Sequence, residues 1–185
     1  MAPTWTDKAD AAVVAVDVGV VAGRPRAARA VDVPTAGVEA ARYVPGVTDT
    51  PQDPTSDPGA VLAHIPFSAS LGMTLDAATA DEVRGTMSWR PELCTGGGLM
   101  HGGAVMAFAD TLGAVCAFLN LPAGAGTSTI ESKTNLFRGV RDGAVHGTAS
   151  PLHVGRTTIV VQTDVRDAAG KRVALVTQTQ AVLTR

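Results

Sequence analysis

Asp110 is the residue whose surroundings in the sequence most clearly indicate chemistry. It is the only charged residue in Gly102–Leu121, a segment that is apolar on nearly every side. Burial of an unpaired carboxylate costs free energy, and apolar surroundings raise the pKa of such an acid. A carboxylate of this kind can act as a general base on water or as a nucleophile. The structural alternative is a buried aspartate that is held in place by hydrogen bonds.

His101, Gly102 and Gly103 lie at the predicted start of the same apolar segment. The first backbone N–H groups of a helix have no partners within the helix, and they stand at the positive end of its dipole. Glycine allows a ligand to approach this backbone closely. The His-Gly-Gly sequence therefore predicts a site for an oxyanion or a polarised carbonyl oxygen. A helix cap at His101 and a tight loop at the glycines are the structural alternatives.

The spacing of His101 and Asp110 decides how the two residues could share one site. Asp110 follows His101 by nine residues. On a helix this spacing puts them on opposite faces, about 13 Å apart along the axis. They cannot meet at one substrate atom within one subunit. If both residues act in one site, the spacing predicts at least a dimer, with Asp110 of one chain and the helix start of another at each site.

One long helix and several strands must position these residues. Gly102–Leu121 predicts a helix that is buried on every face and ends before Pro122 and Gly124. Val83–Trp89 alternates between apolar and polar residues, as a half-buried strand does. Four further predicted strands are Thr127–Arg138, Gly143–His153, Thr157–Arg166 and Arg172–Leu183. Their short connections favour antiparallel pairing, so we expect an α+β fold with a five- to six-stranded antiparallel sheet wrapped around one long central helix.

The amino-acid composition divides the chain of 185 residues near residue 60. Residues 1–60 contain no Leu, Ile or Phe, and Pro45–Gly59 contains four prolines. This composition predicts a low-complexity, disordered leader and linker rich in Ala, Val and Pro. Asp17, within its only apolar run, argues against a secretion signal. Residues 61–185 contain every Leu, Ile and Phe of the chain and are predicted to form the folded domain.

Charge, hydropathy and cysteine content argue against several classes of protein. A formal net charge of -2 offers no basic face for nucleic acid, and no uncharged apolar run is long enough to span a membrane. Two cysteines are too few for a disulfide framework, so we expect free thiols and a cytoplasmic protein. His64, His146 and His153 lack the spacing of metal ligands. The sequence therefore predicts neither a metal site nor a cofactor.

The run from His101 to Thr111 (HGGAVMAFADT) resembles the signature of hotdog-fold acyl-CoA thioesterases of the PaaI-like family. Asn135–Gly143 (NLFRGVRDG) and His153–Thr157 (HVGRT) resemble later segments of that family. The resemblance covers residues 61–185 and implies a hotdog fold. It also implies a homodimer or homotetramer that hydrolyses aryl- or medium-chain acyl-CoA, with coenzyme A as part of the substrate.

The resemblance implies a role for each candidate site residue. Asp110 matches the catalytic carboxylate, the Gly102 N–H matches the group that polarises the thioester carbonyl, and His101 matches the residue that orders this loop. The candidate substrate-binding residues are Gly103, Thr95, Thr111, Thr129, Arg138 and Arg156. In this interpretation the two arginines would lie near the nucleotide of coenzyme A.

Two positions depart from the pattern of that family. Thr95, or Cys94 if the loop shifts by one residue, stands where many relatives have Asn or Gln. The Thr95 hydroxyl would reach less far than an amide. Ala114 stands where many relatives have Ser or Thr. Thr111, Thr129 or Ser128 would then have to supply a hydroxyl near the catalytic water.

Two other functions remain open from the sequence. A hotdog domain could bind acyl-CoA as a sensor or carrier partner without turnover, although binding alone does not require a carboxylate such as Asp110 beside the thioester. A hotdog hydratase would need an Asp and His pair at a different spacing in the loop before the helix, and the sequence lacks that spacing. Hydrolysis that depends on Asp110 is therefore the favoured function.

Overall fold

A computed structural model describes residues 58–184 of the chain. The predicted leader therefore lies almost entirely outside the described residues, and its predicted disorder stays a prediction. The first described helix begins at Pro58, so it includes the last residues of the segment that was predicted to be a linker.

All the helices lie in the first half of the described part, and four consecutive strands follow the last helix. The helices are α1 Pro58–Ala63, α2 Pro66–Ser70 and α3 Gly102–Phe118, with a short 3-10 turn at Pro91–Leu93. The strands are β1 Met73–Ala78, β2 Val83–Ser88, β3 Gly126–Leu136, β4 Ala144–Val154, β5 Thr158–Asp167 and β6 Arg172–Leu183.

The six strands form one antiparallel sheet in the order β1-β2-β4-β5-β6-β3. Strands β1 and β3 lie at its two edges, and β3 pairs only with β6. Helix α3 packs against all six strands. The predicted α+β architecture, with one long helix against a six-stranded antiparallel sheet, is confirmed.

Glycines in the sheet allow α3 to lie close against it. Leu112 and Phe108 of α3 are fully buried. A Cβ atom at Gly147 of β4 would collide with both of these side chains, and one at Gly85 of β2 would lie 2.8 Å from a Cδ atom of Leu112. The core therefore depends on the absence of side chains at these two strand positions.

Truncation of Leu112 tests this packing. We expect Leu112→Ala to lower the free energy of unfolding by about 2–5 kcal/mol, because it removes buried methyl groups and leaves a cavity between α3 and the sheet. Urea unfolding followed by circular dichroism measures this loss. Leu152→Ala is the matched control, since Leu152 is 59% exposed and should change stability little. Equal losses in the two variants would contradict the described core.

Helix α3 is shorter than predicted. It ends at Phe118 rather than at Leu121. The side-chain amide of Asn120 donates to the Cys116 carbonyl at 2.9 Å and to the Ala80 carbonyl at 2.7 Å. The amide thus satisfies one of the carbonyl groups that a helix C-terminus leaves without a partner. None of the helices within residues 58–184 has both the length and the apolar character needed to cross a membrane.

The prediction that α3 is buried on every face is wrong for the single chain. Met106 is 42% exposed and Gly103 is also exposed, while Asp110 and Ala114 are half-buried. Residues three or four positions apart lie on the same side of a helix. Gly103, Met106, Asp110 and Ala114 therefore form one open stripe, which the sheet of the same chain covers only in part.

Candidate active site

The start of α3 is capped by His101. Its Nδ1 accepts a hydrogen bond from the Gly103 N–H at 2.8 Å, and its carbonyl accepts hydrogen bonds from the N–H groups of Ala104 and Val105. The Gly102 N–H has no hydrogen-bond partner within residues 58–184. One donor at the positive end of the helix is therefore left for a ligand.

A tight loop before the helix fixes the position of this donor. The Thr95 N–H donates to the Leu99 carbonyl at 2.8 Å, and the Gly98 N–H donates to the Thr95 carbonyl at 2.9 Å. Gly98 has a φ of 72°, a left-handed conformation that favours glycine. The His101 N–H then donates to the Leu93 carbonyl at 2.8 Å. These bonds hold the loop in place before Gly102.

A cavity of about 340 Å³ lies beside Gly102. Three of the predicted site residues, Thr95, Gly102 and Arg138, line it. The remaining lining residues are mainly apolar: Leu99, Met100, Val105, Leu136, Phe137, Gly139, Val140 and Val173. The structure thus brings the free N–H donor, one hydroxyl and one cation to a mainly apolar cavity.

A second cavity, of about 250 Å³, also touches the helix start. His101 and Gly103 line it, together with Cys94 and Glu92. Its apolar walls come from the segment around α2, from the 3-10 turn and from α3: Phe67, Leu71, Leu93, Ala104 and Ala107. The His-Gly-Gly sequence therefore borders two separate cavities.

The Asp110 carboxylate is held by hydrogen bonds from two strands. Its Oδ1 atom accepts from Thr129 Oγ1 on β3 and from Gln178 Nε2 on β6, each at 3.3 Å. Desolvation by burial raises the pKa of Asp110 above its ordinary value, and the hydrogen bond from Thr129 acts in the opposite direction. A carboxylate with a raised pKa is a better proton acceptor, which suits a general base.

Two buried glutamines extend this network. Gln178 and Gln180 are fully buried, and Gln180 Nε2 donates to Thr129 Oγ1 at 2.7 Å. Thr127 Oγ1 donates in turn to Gln180 Oε1 at 3.2 Å. Neither glutamine was predicted to belong to the site. The available signal was their spacing of two residues in a strand rich in β-branched residues, which puts both amides on one face.

Within one chain, Asp110 and Gly102 do not face the same cavity. Asp110 lines neither cavity. It follows Gly102 by eight residues on the helix, a rise of about 12 Å along the axis. The Asp110 side chain is directed toward β3 and β6, whereas His101 borders the cavity beside α2. The chain therefore presents two halves of a candidate site at different places along α3.

Thr111 has a different environment from that of Asp110. It is buried, and its hydroxyl donates to the Ala107 carbonyl and bonds to the Ser68 hydroxyl, both at 2.9 Å. This hydroxyl fastens α2 to α3 and does not lie beside the Asp110 carboxylate. Thr129 is the hydroxyl that contacts Asp110.

Arg156 lies far from the cavity of its own chain. It stands in the turn between β4 and β5, two residues before Thr158. Thr158 pairs with Ala181 of β6, and Ala181 pairs on its other side with Ser128 of β3. Gly102 is instead close to Leu136, at the other end of β3. About eight strand residues, or roughly 26 Å, separate these two ends. Arg138 lines the cavity and Arg156 does not.

The two cysteines differ in their surroundings. The Cys94 thiol is half-buried and donates to the Arg90 carbonyl at 3.2 Å. Burial, with a smaller effect of the Asp81 charge, raises the pKa of the Cys116 thiol to about 11, so Cys116 is no thiolate nucleophile near neutral pH. Among the residues that the structure describes, no three His, Cys, Asp or Glu side chains are grouped as metal ligands would be.

Comparison with known protein families matches residues 97–174 to the thioesterase superfamily. A protein of Mycobacterium tuberculosis, named provisionally as an esterase, is 32% identical over 57% of this chain and 77% of its own length. The 1,4-dihydroxy-2-naphthoyl-CoA hydrolase of Escherichia coli is 33% identical over 46% of this chain and 63% of its own length. Across such curated relatives, the chain spans 55 to 77% of their length.

Solved structures show the same fold. A thioesterase from Haemophilus influenzae superposes with a TM-score of 0.64 and 28% sequence identity, covering 68% of this chain and 87% of that one. The hotdog fold that the sequence resemblance implied is therefore confirmed.

Proposed function

Because this chain belongs to the thioesterase superfamily, a family of thioester hydrolases, we propose that it hydrolyses aryl- or medium-chain acyl-CoA to the free acid and coenzyme A. The proposal rests on one observation above all. A half-buried Asp110 carboxylate, held from β3 and β6, accompanies a helix-terminal Gly102 N–H that is free to bind a carbonyl oxygen. The name of the E. coli relative supports a CoA thioester as the substrate class.

The proposed roles follow from the chemistry of these groups. The Gly102 N–H donates a hydrogen bond to the thioester carbonyl oxygen, where negative charge develops during attack. As a general base, Asp110 takes a proton from the water molecule that attacks the thioester carbonyl carbon. As a nucleophile, it forms an acyl anhydride and releases the coenzyme A thiolate before water cleaves the anhydride. Neither route uses a metal ion or a cofactor.

The cavity beside Gly102 is the proposed place for the acyl group. Its volume of about 340 Å³ and its mainly apolar lining suit an aryl or medium-chain group, and Val105 and Leu136 provide two of its walls. Arg138 at this cavity would face the nucleotide part of the substrate. Arg156 can serve the same purpose only at the cavity of a second chain.

A second copy of this chain is the proposed source of the missing half of each site. Strand β3 has eleven residues, and one of its edges pairs with no other strand in the described residues. Ile130 and Leu136 on β3 are 62% and 52% exposed. Exposed apolar edge strands commonly pair with another chain. A homodimer across this region would also cover the open stripe on α3, which contains Asp110.

Mixing of two inactive variants tests the shared site. In a dimer with shared sites, an Asp110→Asn chain and a Gly102→Pro chain together form one wild-type site and one doubly altered site. After unfolding and refolding of an equal mixture, we expect about one quarter of the wild-type rate, because half of the dimers are mixed. No recovery, in a mixture shown by mass spectrometry to contain mixed dimers, would place both groups of each site in one chain.

The activity itself is tested with a small panel of thioesters. Phenylacetyl-, benzoyl-, acetyl-, hexanoyl- and palmitoyl-CoA are offered to the full chain, and the released thiol is measured. We expect the phenylacetyl, benzoyl and hexanoyl esters to be the preferred substrates. Binding of these esters without any turnover would overturn the proposal in favour of an acyl-CoA sensor. In that case Thr95 and Ala114, which depart from the family pattern, would mark lost catalysis.

A further inference from the structure

Gln178 is a polar side chain in the middle of the core that contacts Asp110 twice. It is fully buried on the inner face of β6. Its Nε2 atom donates to the Asp110 carbonyl oxygen at 3.2 Å and to the Asp110 carboxylate Oδ1 at 3.3 Å. One amide thus ties the backbone of α3 and the side chain of Asp110 to the same strand.

Helix α3 has no side chain where the Gln178 amide lies against it. Gly113 follows Asp110 by three residues, on the same side of α3. A Cβ atom at Gly113 would collide with the amide oxygen and carbon of Gln178 and would lie 2.8 Å from its nitrogen. The space that the amide needs beside Asp110 therefore exists only because residue 113 is glycine.

The amide oxygen of Gln178 is not explained by stability. Oε1 is buried and has no hydrogen-bond partner within the described residues. A buried acceptor without a partner destabilises a fold, whereas an apolar side chain of similar shape would leave no such acceptor. The side chain's two hydrogen bonds both go to Asp110, one to its backbone carbonyl and one to its carboxylate.

The two donors to Asp110 act on the same carboxylate oxygen. Thr129 and Gln178 both donate to Oδ1, while Oδ2 accepts no hydrogen bond within residues 58–184. Oδ1 is thereby fixed, and Oδ2 is left to take a proton or to attack a carbon atom. Donors to a carboxylate also favour its charged form.

We propose that Gln178 is a positioning residue, which orients the Asp110 carboxylate so that Oδ2 is the reacting oxygen and helps to keep it ionised. This inference rests on the proposed function, because it takes Asp110 as the reacting group. Gln178 itself touches no substrate in this proposal.

Gln178→Met removes the donor and nearly keeps the shape of the side chain. We expect kcat to fall about tenfold, in line with the loss of one hydrogen bond to a charged group. The acid limb of the kcat profile should move to higher pH, because Asp110 then loses its proton less readily. The melting temperature should stay the same or rise, because the buried Oε1 atom is gone. A purely structural residue would instead lower the melting temperature and leave the pH profile in place.

Gln162→Met is the matched control. Gln162 lies on the neighbouring strand β5, half-buried, at a position that pairs with Thr177 of β6. We expect no change in kcat or in its pH profile for this variant. If the Gln178→Met chain fails to fold, Gly113→Ala is the second variant, because its Cβ atom should displace the amide and produce the same shift of the acid limb.

Titration of Asp110 separates this inference from the proposed function. Carbon NMR of the carboxyl group gives the pKa of Asp110 in the wild-type chain and in the Gln178 or Gly113 variant, whether or not the protein turns over a thioester. A higher Asp110 pKa in the variant supports the inference, and an unchanged value overturns it. Absence of turnover in the wild-type chain would count against the proposed function alone.

Discussion

Replacement of Asp110 by asparagine should reduce kcat for acyl-CoA hydrolysis by a factor of about 10²–10⁴. Asparagine has the same size, and its amide oxygen can still accept hydrogen bonds from Thr129 and Gln178. It can neither take a proton from water nor attack a carbonyl carbon. Binding of a non-hydrolysable acyl-CoA analogue should therefore persist, with turnover nearly lost.

The same variant should be at least as stable as the wild-type chain at neutral pH. Burial raises the folded-state pKa of Asp110 above that of the unfolded chain. The folded chain therefore binds this proton more readily, and its stability falls as the pH rises from the ordinary pKa of aspartate to the raised one. The Asp110→Asn chain avoids this cost, so its melting temperature should match or exceed that of the wild-type chain at pH 7.

Full turnover by the Asp110→Asn variant would exclude Asp110 from the mechanism.

Gly102→Pro should remove one N–H group and leave the helix in place. His101 has φ and ψ values of -65° and 135°, which suit a residue before proline. Proline is also favourable at the first position of a helix, where the N–H group has no helical partner. We expect kcat to fall by a factor of about 10²–10³, the usual effect of losing one donor to a developing oxyanion.

Gly102→Ala is the control for the added bulk of proline. Its Cβ atom would lie 2.8 Å from a Cδ atom of Leu136, the flexible end of a side chain, so a small shift accommodates it. This variant keeps the N–H group and should keep most of the activity. If alanine and proline reduce kcat equally, crowding by the side chain is responsible and Gly102 supplies no donor.

The elements that position Asp110 could be predicted because their signals are local. The apolar run after His101 predicted α3, and β-branched segments between short turns predicted β3 to β6 close to their observed bounds. Just beyond the end of α3, Asn120 contacts the Ala80 carbonyl, forty residues earlier in the chain. A pairing of that kind leaves no periodic pattern in the sequence.

Residue types and spacing singled out only candidate residues at the start of α3 and along it. The family resemblance added Thr129, which contacts Asp110, and Arg138, which lines the cavity beside Gly102. His101, Gly102 and Asp110 lie on one helix, and their spacing correctly separated His101 from Asp110. Gln178 reaches Asp110 from a strand far along the chain, and a buried glutamine cannot be distinguished from an exposed one by its residue type. Thr111 was a candidate because it directly follows Asp110 in sequence. In the structure its hydroxyl bonds instead to the Ser68 hydroxyl.

The position of β6 between β5 and β3 has a consequence for folding. Strand β3 follows α3 directly in sequence, yet it gains its sheet partner only when Arg172–Leu183 joins the sheet, and its first residue pairs with Leu183. A nascent chain on the ribosome must therefore carry β3 unpaired until the last of the six strands has emerged. Because Gln178 belongs to that strand, the carboxylate of Asp110 gains its full set of contacts only after β6 has joined the sheet.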